Sequence, residues 1–172
     1  QALDILKTLG TPCLIHQPSY SMLNRWIEKD GLLDVISDAG VGSIVFSPLA
    51  QGMLTDKYLN DAIPAGSRAT QSKSLNPVLL NSENLSRIRS LNEIARSRNQ
   101  TLAQMAVAWT LRDARVTSAL IGASRPEQVE DCAGAIRNLE FSREELEEID
   151  KYAIDGGLNI WAASAEKTNR PG

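Results

Sequence analysis

Little in this sequence points to covalent or metal chemistry. Cysteine is scarce: Cys13 and Cys132 lie far apart, lack metal-ligand spacing and have apolar neighbours. They read as buried thiols in a reducing compartment. The lone histidine, His16, is the only side chain whose ordinary pKa lies near neutrality, and no spacing supplies it with a Ser, Cys or carboxylate partner. It is therefore not read as a catalytic base. Charge is not one-sided either, since 18 Lys and Arg are scattered among 21 Asp and Glu. With 5% aromatic residues and no basic stripe, electrostatic affinity for nucleic acid is excluded, while an anionic small molecule remains compatible. No apolar run approaches the ~18 to 20 residues that span a bilayer, and no charged leader precedes an apolar segment. The chain reads as cytoplasmic, with neither membrane nor nucleic acid as a partner. GxGxxG, the P-loop, CxxC and G-x-S-x-G are all missing, and with them the usual dinucleotide and nucleophile signatures.

What is present is a regular alternation. The 172 residues suit one domain or part of one. Apolar residues recur at helical spacing in Ala2, Ile5, Leu6, Leu9; in Leu32, Val35, Ile36, Ala39; in Leu102, Met105, Ala106, Trp109; and in Val129, Cys132, Ala133, Ile136. Between them lie short β-branched runs, Cys13 to Ile15, Ser43 to Phe46 and Thr117 to Ile121, which suit strands buried on both faces. Helix and strand in turn predict a parallel sheet or barrel with right-handed crossovers. The first helical stripe begins with no lead-in at Gln1, as in a chain that starts mid-domain, whereas residues 164–172 read as a polar C-terminal tail. Residues 59–80, with Pro64, Gly66, Ser67 and Pro77, form an inserted loop of the kind that is disordered or serves as a lid. A further helix follows on Leu85, Ile88, Leu91 and Ala95.

Helix starts are signed by capping boxes at Thr101 to Gln104 and Ser142 to Glu145. A third is expected at Ser124 to Glu127, with Pro126 in its first turn.

Ligands of parallel α/β folds sit beyond the C-terminal ends of the strands. Those ends read His16-Gln17-Pro18, Ser47-Pro48-Leu49-Ala50-Gln51-Gly52 and Gly122-Ala123-Ser124-Arg125. The third suits an anion. Gly122 permits close backbone approach, Ser124 offers a hydroxyl, Arg125 a fork of donors, and the helix N-terminus a partial positive charge. A strand-to-helix turn with a cap and no ligand reads equally well. The second end begins a turn whose backbone N–H groups suit a diphosphate, with Lys57 beyond it; a rigid turn with a solvent-facing lysine is the alternative. Phe46 offers a stacking surface or a core aromatic, and Gln128 an adenine contact or a solvated amide. Gln17 shares a strand face with Ile15 and can read a carboxamide through a paired donor and acceptor.

Taken together, "IHQPSYSMLNR" (15 to 25), "GVGSIVFSPLAQGMLTDKY" (40 to 58) and "SALIGASRPEQVED" (118 to 131) resemble the C-terminal half of an aldo-keto reductase. The resemblance is strongest to the bacterial branch that reduces L-glyceraldehyde 3-phosphate, with potassium channel β-subunits as cousins, and "DGGLNIW" (155 to 161) fits that branch. It implies an α/β fold, with this chain supplying strands six to eight and their helices to a (β/α)8 TIM barrel. It also implies NADPH as cofactor and a small carbonyl substrate such as L-glyceraldehyde 3-phosphate or methylglyoxal. By the family pattern Gln17 bonds the nicotinamide carboxamide and Phe46 stacks on the ring. Ser47, Pro48, Leu49, Gln51 and Lys57 line the diphosphate, and Arg68 closes over it. Gly122, Ser124 and Arg125 meet the 2′-phosphate, while Gln128 and Asp131 reach adenosine. Cys132 stands where many members carry Asn. The Asp, Tyr, Lys and His or Asn of the family's hydride chemistry belong to the first four strands and have no match here. Three expectations follow: a reductase in the complete chain, compatible with a homo-oligomer; a nucleotide-binding regulatory subunit of the channel type; or an inactive fragment.

Overall fold

The computed structural model describes residues 1–60, 70, 75 and 77–155. Arg68, most of the 59–80 insertion and the tail at 164–172 lie outside the described residues. The elements are α1 (Ala2–Thr8), β1 (Ile15–His16), α2 (Trp26–Lys29), α3 (Leu32–Asp38), β2 (Gly42–Phe46), α4 (Ser82–Ser97), α5 (Leu102–Leu111), β3 (Ser118–Leu120), α6 (Pro126–Ala133) and α7 (Arg143–Asp150). Short 3-10 turns occupy Ala50–Gly52, Asp56–Tyr58, Pro77–Leu80 and Gly134–Arg137. The strands form a three-stranded parallel sheet in the order β1-β2-β3, as the helix–strand alternation requires.

Local chemistry explains the helix starts. Thr101 and Ser142 close complete capping boxes with Gln104 and Glu145, each satisfying two backbone N–H groups that have no helical partner. Asn81 caps α4 by accepting from the Asn84 amide at 2.9 Å. The box expected at Ser124 is not formed: the N-cap is Arg125, without a side-chain cap bond. Pro126 is the reason. Its ring suits the first helical position and forces the residue before it to be extended, and Arg125 accordingly has φ −144° and ψ 147°.

Helices α4 and α5 carry the core, with Ile88, Leu91, Ala95, Leu102, Met105, Ala106 and Trp109 all buried. Full burial of each large apolar side chain is worth about 1.5 to 3 kcal/mol. The other stripes are only partly used. On α3 the buried residues are Leu33 and Ile36, while Val35 is exposed. On α1 no residue is buried, and Ile5 and Leu9 face solvent. On α6 Cys132 is buried, but Val129 is exposed, as is Ile136 just beyond it. Cys13 is only half-buried, against expectation.

The strands are not buried on both faces. In β2, Ser43 and Val45 are buried against the helices, whereas Gly42, Ile44 and Phe46 are only half-buried. Register places Ile15 beside Gly42, and Ser118 and Leu120 beside Ile44 and Phe46. Neighbours in register share a face, so Ile15, 55% exposed, and Leu120, 44% exposed, lie on the uncovered face with Ile44 and Phe46. Among the described residues every covering helix lies on the other side. The apolar runs were legible as strands, but how many faces are covered depends on which elements pack there.

Candidate functional site: three strand ends on one sheet edge

Because the strands are parallel, the chain leaves all three at the same edge of the sheet, after His16, Phe46 and Leu120. The β1–β2 register continues to an isolated bridge between Ser19 and Phe46, which sets exposed Gln17 beside Ile44 on the uncovered face. Phe46 lies on that face one step further along, so a planar group there can meet both an amide and a ring.

The turn after β2 is strained. Ser47, Ala50 and Gln51 have φ of 58°, 48° and 60°, in the left-handed region that disfavours side chains, and Gly52 follows at 92°. Each such residue costs on the order of 1 kcal/mol, and strain of this kind gathers where a ligand dictates backbone shape. The amides of Ala50, Gly52, Met53 and Leu54 donate within the turn, to Ser47, Leu49, Ala50 and Leu49 oxygens respectively. Most of the anion-binding power expected of this backbone is therefore used internally. What remains are side chains: the half-buried Ser47 hydroxyl, which accepts from Gln51 Nε2 at 3.3 Å, and exposed Lys57. Pro48 is buried and Leu49 packs against the core, which anchors the turn.

At the third end, Gly122, Ala123, Ser124 and Arg125 are exposed. Ser124 donates through its backbone N–H, at 2.8 Å, and its hydroxyl, at 3.2 Å, to Gln128 Oε1, so Gln128 closes the mouth of α6 in place of a cap. Any anion meeting Ser124 must displace this amide. Asp131 faces α5: its carboxylate accepts from the Thr101 hydroxyl at 3.0 Å and from Gln104 Nε2 at 2.8 Å. Its oxygens are thus tied to a helix cap. Neighbouring Cys132 has its thiol pushed up, by burial first and the Asp131 charge second.

Spacing did not reveal a polar cluster, half-buried around the buried Tyr20, just past Gln17. Tyr20, fully buried, tilts against Trp109 with ring centroids 5.2 Å apart. Its hydroxyl bonds Glu28 and accepts from Arg112 Nη1 at 2.9 Å. Arg112 also pairs with Glu28 at 2.8 Å, and its guanidinium lies 3.6 Å over the Trp109 ring. Arg25 bridges Glu28 at 2.7 Å and Asp150 at 2.6 Å. Burial drives the Tyr20 hydroxyl well above the ordinary phenol range, against the Arg112 charge. Burial also raises Glu28, but bonds from Tyr20, Arg112 and Arg25 outweigh it and hold the carboxyl below its usual range. The residues come from segments distant in sequence, with Arg25 and Arg112 at helix ends, and no local pattern relates them.

Among the described residues no group of three His, Cys, Asp or Glu is placed to hold a metal, and no helix is long and apolar enough to cross a membrane. A nicotinamide dinucleotide fits the donor set better. An amide and an aromatic ring share one sheet face, and two turns away an exposed guanidinium at a helix N-terminus faces solvent.

The model of the aldo/keto reductase family matches residues 1–154. L-glyceraldehyde 3-phosphate reductase of Escherichia coli K12 is 52% identical over 168 residues, covering 95% of this chain and 48% of that protein. A putative voltage-gated potassium channel subunit beta of Schizosaccharomyces pombe is 40% identical over 141 residues, covering 78% of this chain and 40% of that protein. The chain thus spans about half the length of the curated relatives it matches. Among solved structures, a glycerol dehydrogenase from Gluconobacter oxydans superposes with a TM-score of 0.66 at 23% identity, covering 87% of this chain and 44% of that one. An aldo-keto reductase from Bacillus halodurans does so with a TM-score of 0.61 at 22% identity, covering 87% and 46%. Both likenesses concern the fold.

Proposed function

Because the chain belongs to the aldo/keto reductase family, we propose that it is the cofactor-holding, C-terminal portion of a (β/α)8 barrel that reduces small aldehydes or ketones with NADPH. The observation that carries this is the convergence of Gln17, Phe46 and Arg125 on the ends of three adjacent parallel strands. Gln17 orients the nicotinamide carboxamide and Phe46 presents its ring to one face. Ser47, Leu49, Gln51 and Lys57 line the diphosphate, with Pro48 bracing the turn from inside and Arg68 joining from the insertion. Gly122, Ser124 and Arg125 take the 2′-phosphate at the start of α6. Gln128 turns from Ser124 toward adenosine, with Asp131 behind it. The bound nucleotide supplies hydride. This chain's residues bind and orient, and the proton donor belongs to the part of the family fold that the chain does not span.

The substrate class follows the bacterial relative: L-glyceraldehyde 3-phosphate or a methylglyoxal-like carbonyl, in the cytoplasm. The second reading, a nucleotide-binding regulatory subunit, is favoured by the 40% identity to a putative channel subunit. The test is steady-state oxidation of NADPH by the full-length protein with both carbonyls. Turnover supports the reductase, tight NADPH binding without turnover favours the regulator, and absence of NADPH binding removes both.

A further inference from the structure

The strand-end residues Gln17 and Phe46 are exposed or half-buried, yet the segment joining them is tied to one of the most buried groups in the molecule. Phe46 donates its backbone N–H to the Pro18 carbonyl at 3.0 Å and accepts from the Tyr20 amide at 3.1 Å. Residues 18–20 therefore bracket Phe46 on one side while following Gln17 directly. Their own place is set by side chains. Trp26 Nε1 donates to the Ser19 carbonyl at 3.0 Å, Asn24 Nδ2 donates to the Ser19 hydroxyl at 3.1 Å, and the Tyr20 hydroxyl is held between Glu28 and Arg112.

We propose that the Tyr20 hydroxyl, clamped by Glu28 and Arg112, is a positioning group for the nicotinamide end of the dinucleotide site, acting through residues 18–20 on Gln17 and Phe46. The inference rests on the cofactor reading above.

Packing alone does not call for this hydroxyl, since a phenylalanine would keep the contact with Trp109. A buried group satisfied by two charged partners adds little net stability over an apolar one, but it fixes direction, because turning the ring away gives up both bonds to the hydroxyl. The clamp is itself braced. Arg112 Nη1 donates to the Trp109 carbonyl at 2.7 Å, and Arg25 carries the network from Glu28 to Asp150 on α7. Among the described residues Trp109 Nε1 is buried with no acceptor, and its indole lies beside both guanidiniums. Among the described residues no bond connects this cluster to Ser124 or Arg125, so its expected influence is confined to the nicotinamide end.

That confinement supplies the test. Calorimetric titration of the full-length protein with NADPH and with adenosine 2′,5′-bisphosphate, which has the 2′-phosphate corner but no nicotinamide, separates the two ends. Tyr20→Phe is expected to weaken NADPH by about tenfold, the scale of one hydrogen bond to a charged group, and to leave the bisphosphate unchanged. Arg112→Lys keeps the charge but loses the fork, is expected to act the same way, and carries the test where Tyr20→Phe folds poorly. In a double-mutant cycle with Gln17→Ala the NADPH losses should be less than additive. Equal weakening of both ligands, or none for NADPH, overturns the positioning role and leaves the cofactor reading standing. An unmodified protein that binds neither ligand overturns both.

Discussion

Arg98, its side chain 2% exposed, meets Glu145 at 2.7 Å. The same carboxylate accepts from the Ser142 amide at 2.7 Å, so one residue both closes the α7 capping box and anchors the end of α4. Arg98 further donates to the Glu140 carbonyl at 2.9 Å, and its guanidinium lies 3.7 Å from the centre of the Phe141 ring. This side chain ties the loop between α6 and α7 to the end of α4, beside the bond from Gln100 to the Asn138 carbonyl and the packing of Leu139 and Phe141. Arg98→Met is expected to lose about 2 kcal/mol of unfolding free energy, because it removes the donor to the Glu140 carbonyl and the charge partner of Glu145. Urea denaturation followed by circular dichroism measures it, and a loss comparable to that of an exposed ion pair would refute the anchoring role.

The two capping boxes differ in reach. Ser142→Ala removes only a cap and should cost about 1 kcal/mol. Thr101→Ala also takes a hydroxyl from Asp131, to which it bonds at 3.0 Å, and should cost visibly more. Equal losses in parallel urea titrations would mean that the Asp131 bond contributes nothing.

Glu28 makes acid stability testable. Its folded pKa lies below the ordinary value of about 4.3. A depressed carboxyl contributes stability that is fully present above the unfolded value and lost as pH falls through the folded one. Glu28→Gln should therefore be less stable than the unmodified chain at neutral pH, with the difference shrinking below about pH 4. Urea midpoints across that range provide the check; a constant gap would deny the carboxylate its role.

Cofactor choice turns on α6. With Arg125 at the N-cap, its side chain making no bond among the described residues, NADPH should bind more tightly than NADH. Arg125→Ala should erase most of the gap, a change of about tenfold or more for lost charged contacts. Titrating both nucleotides against both proteins decides it, and equal affinities in the unmodified chain would defeat the assignment.

Much of the molecule was legible from local rules. Helical stripes located α3, α4, α5 and α6, and β-branched runs located all three strands, because these patterns repeat the period of the backbone itself. The boxes at Thr101 and Ser142 were readable because a cap is satisfied within four residues. Ser124 misled because two local rules competed there, and the rigid ring of Pro126 shifted the helix start by one residue. The residues of the three strand ends were each ambiguous, and their order and spacing made them specific.

The sequence by itself determined which segments become helix and strand, where most helices begin, and which residues terminate the strands, since each depends on neighbours in the chain. The tertiary structure alone decided three things. Among the described residues it left one face of the sheet uncovered, with Ile15 and Leu120 exposed. It turned the amides after Phe46 inward, into a strained turn. And it brought Glu28 and Arg112, both half-buried, onto the buried Tyr20 hydroxyl. Each joins residues that no periodicity relates. Whether a charged side chain ends in solvent or in a clamp is settled by what packs over it.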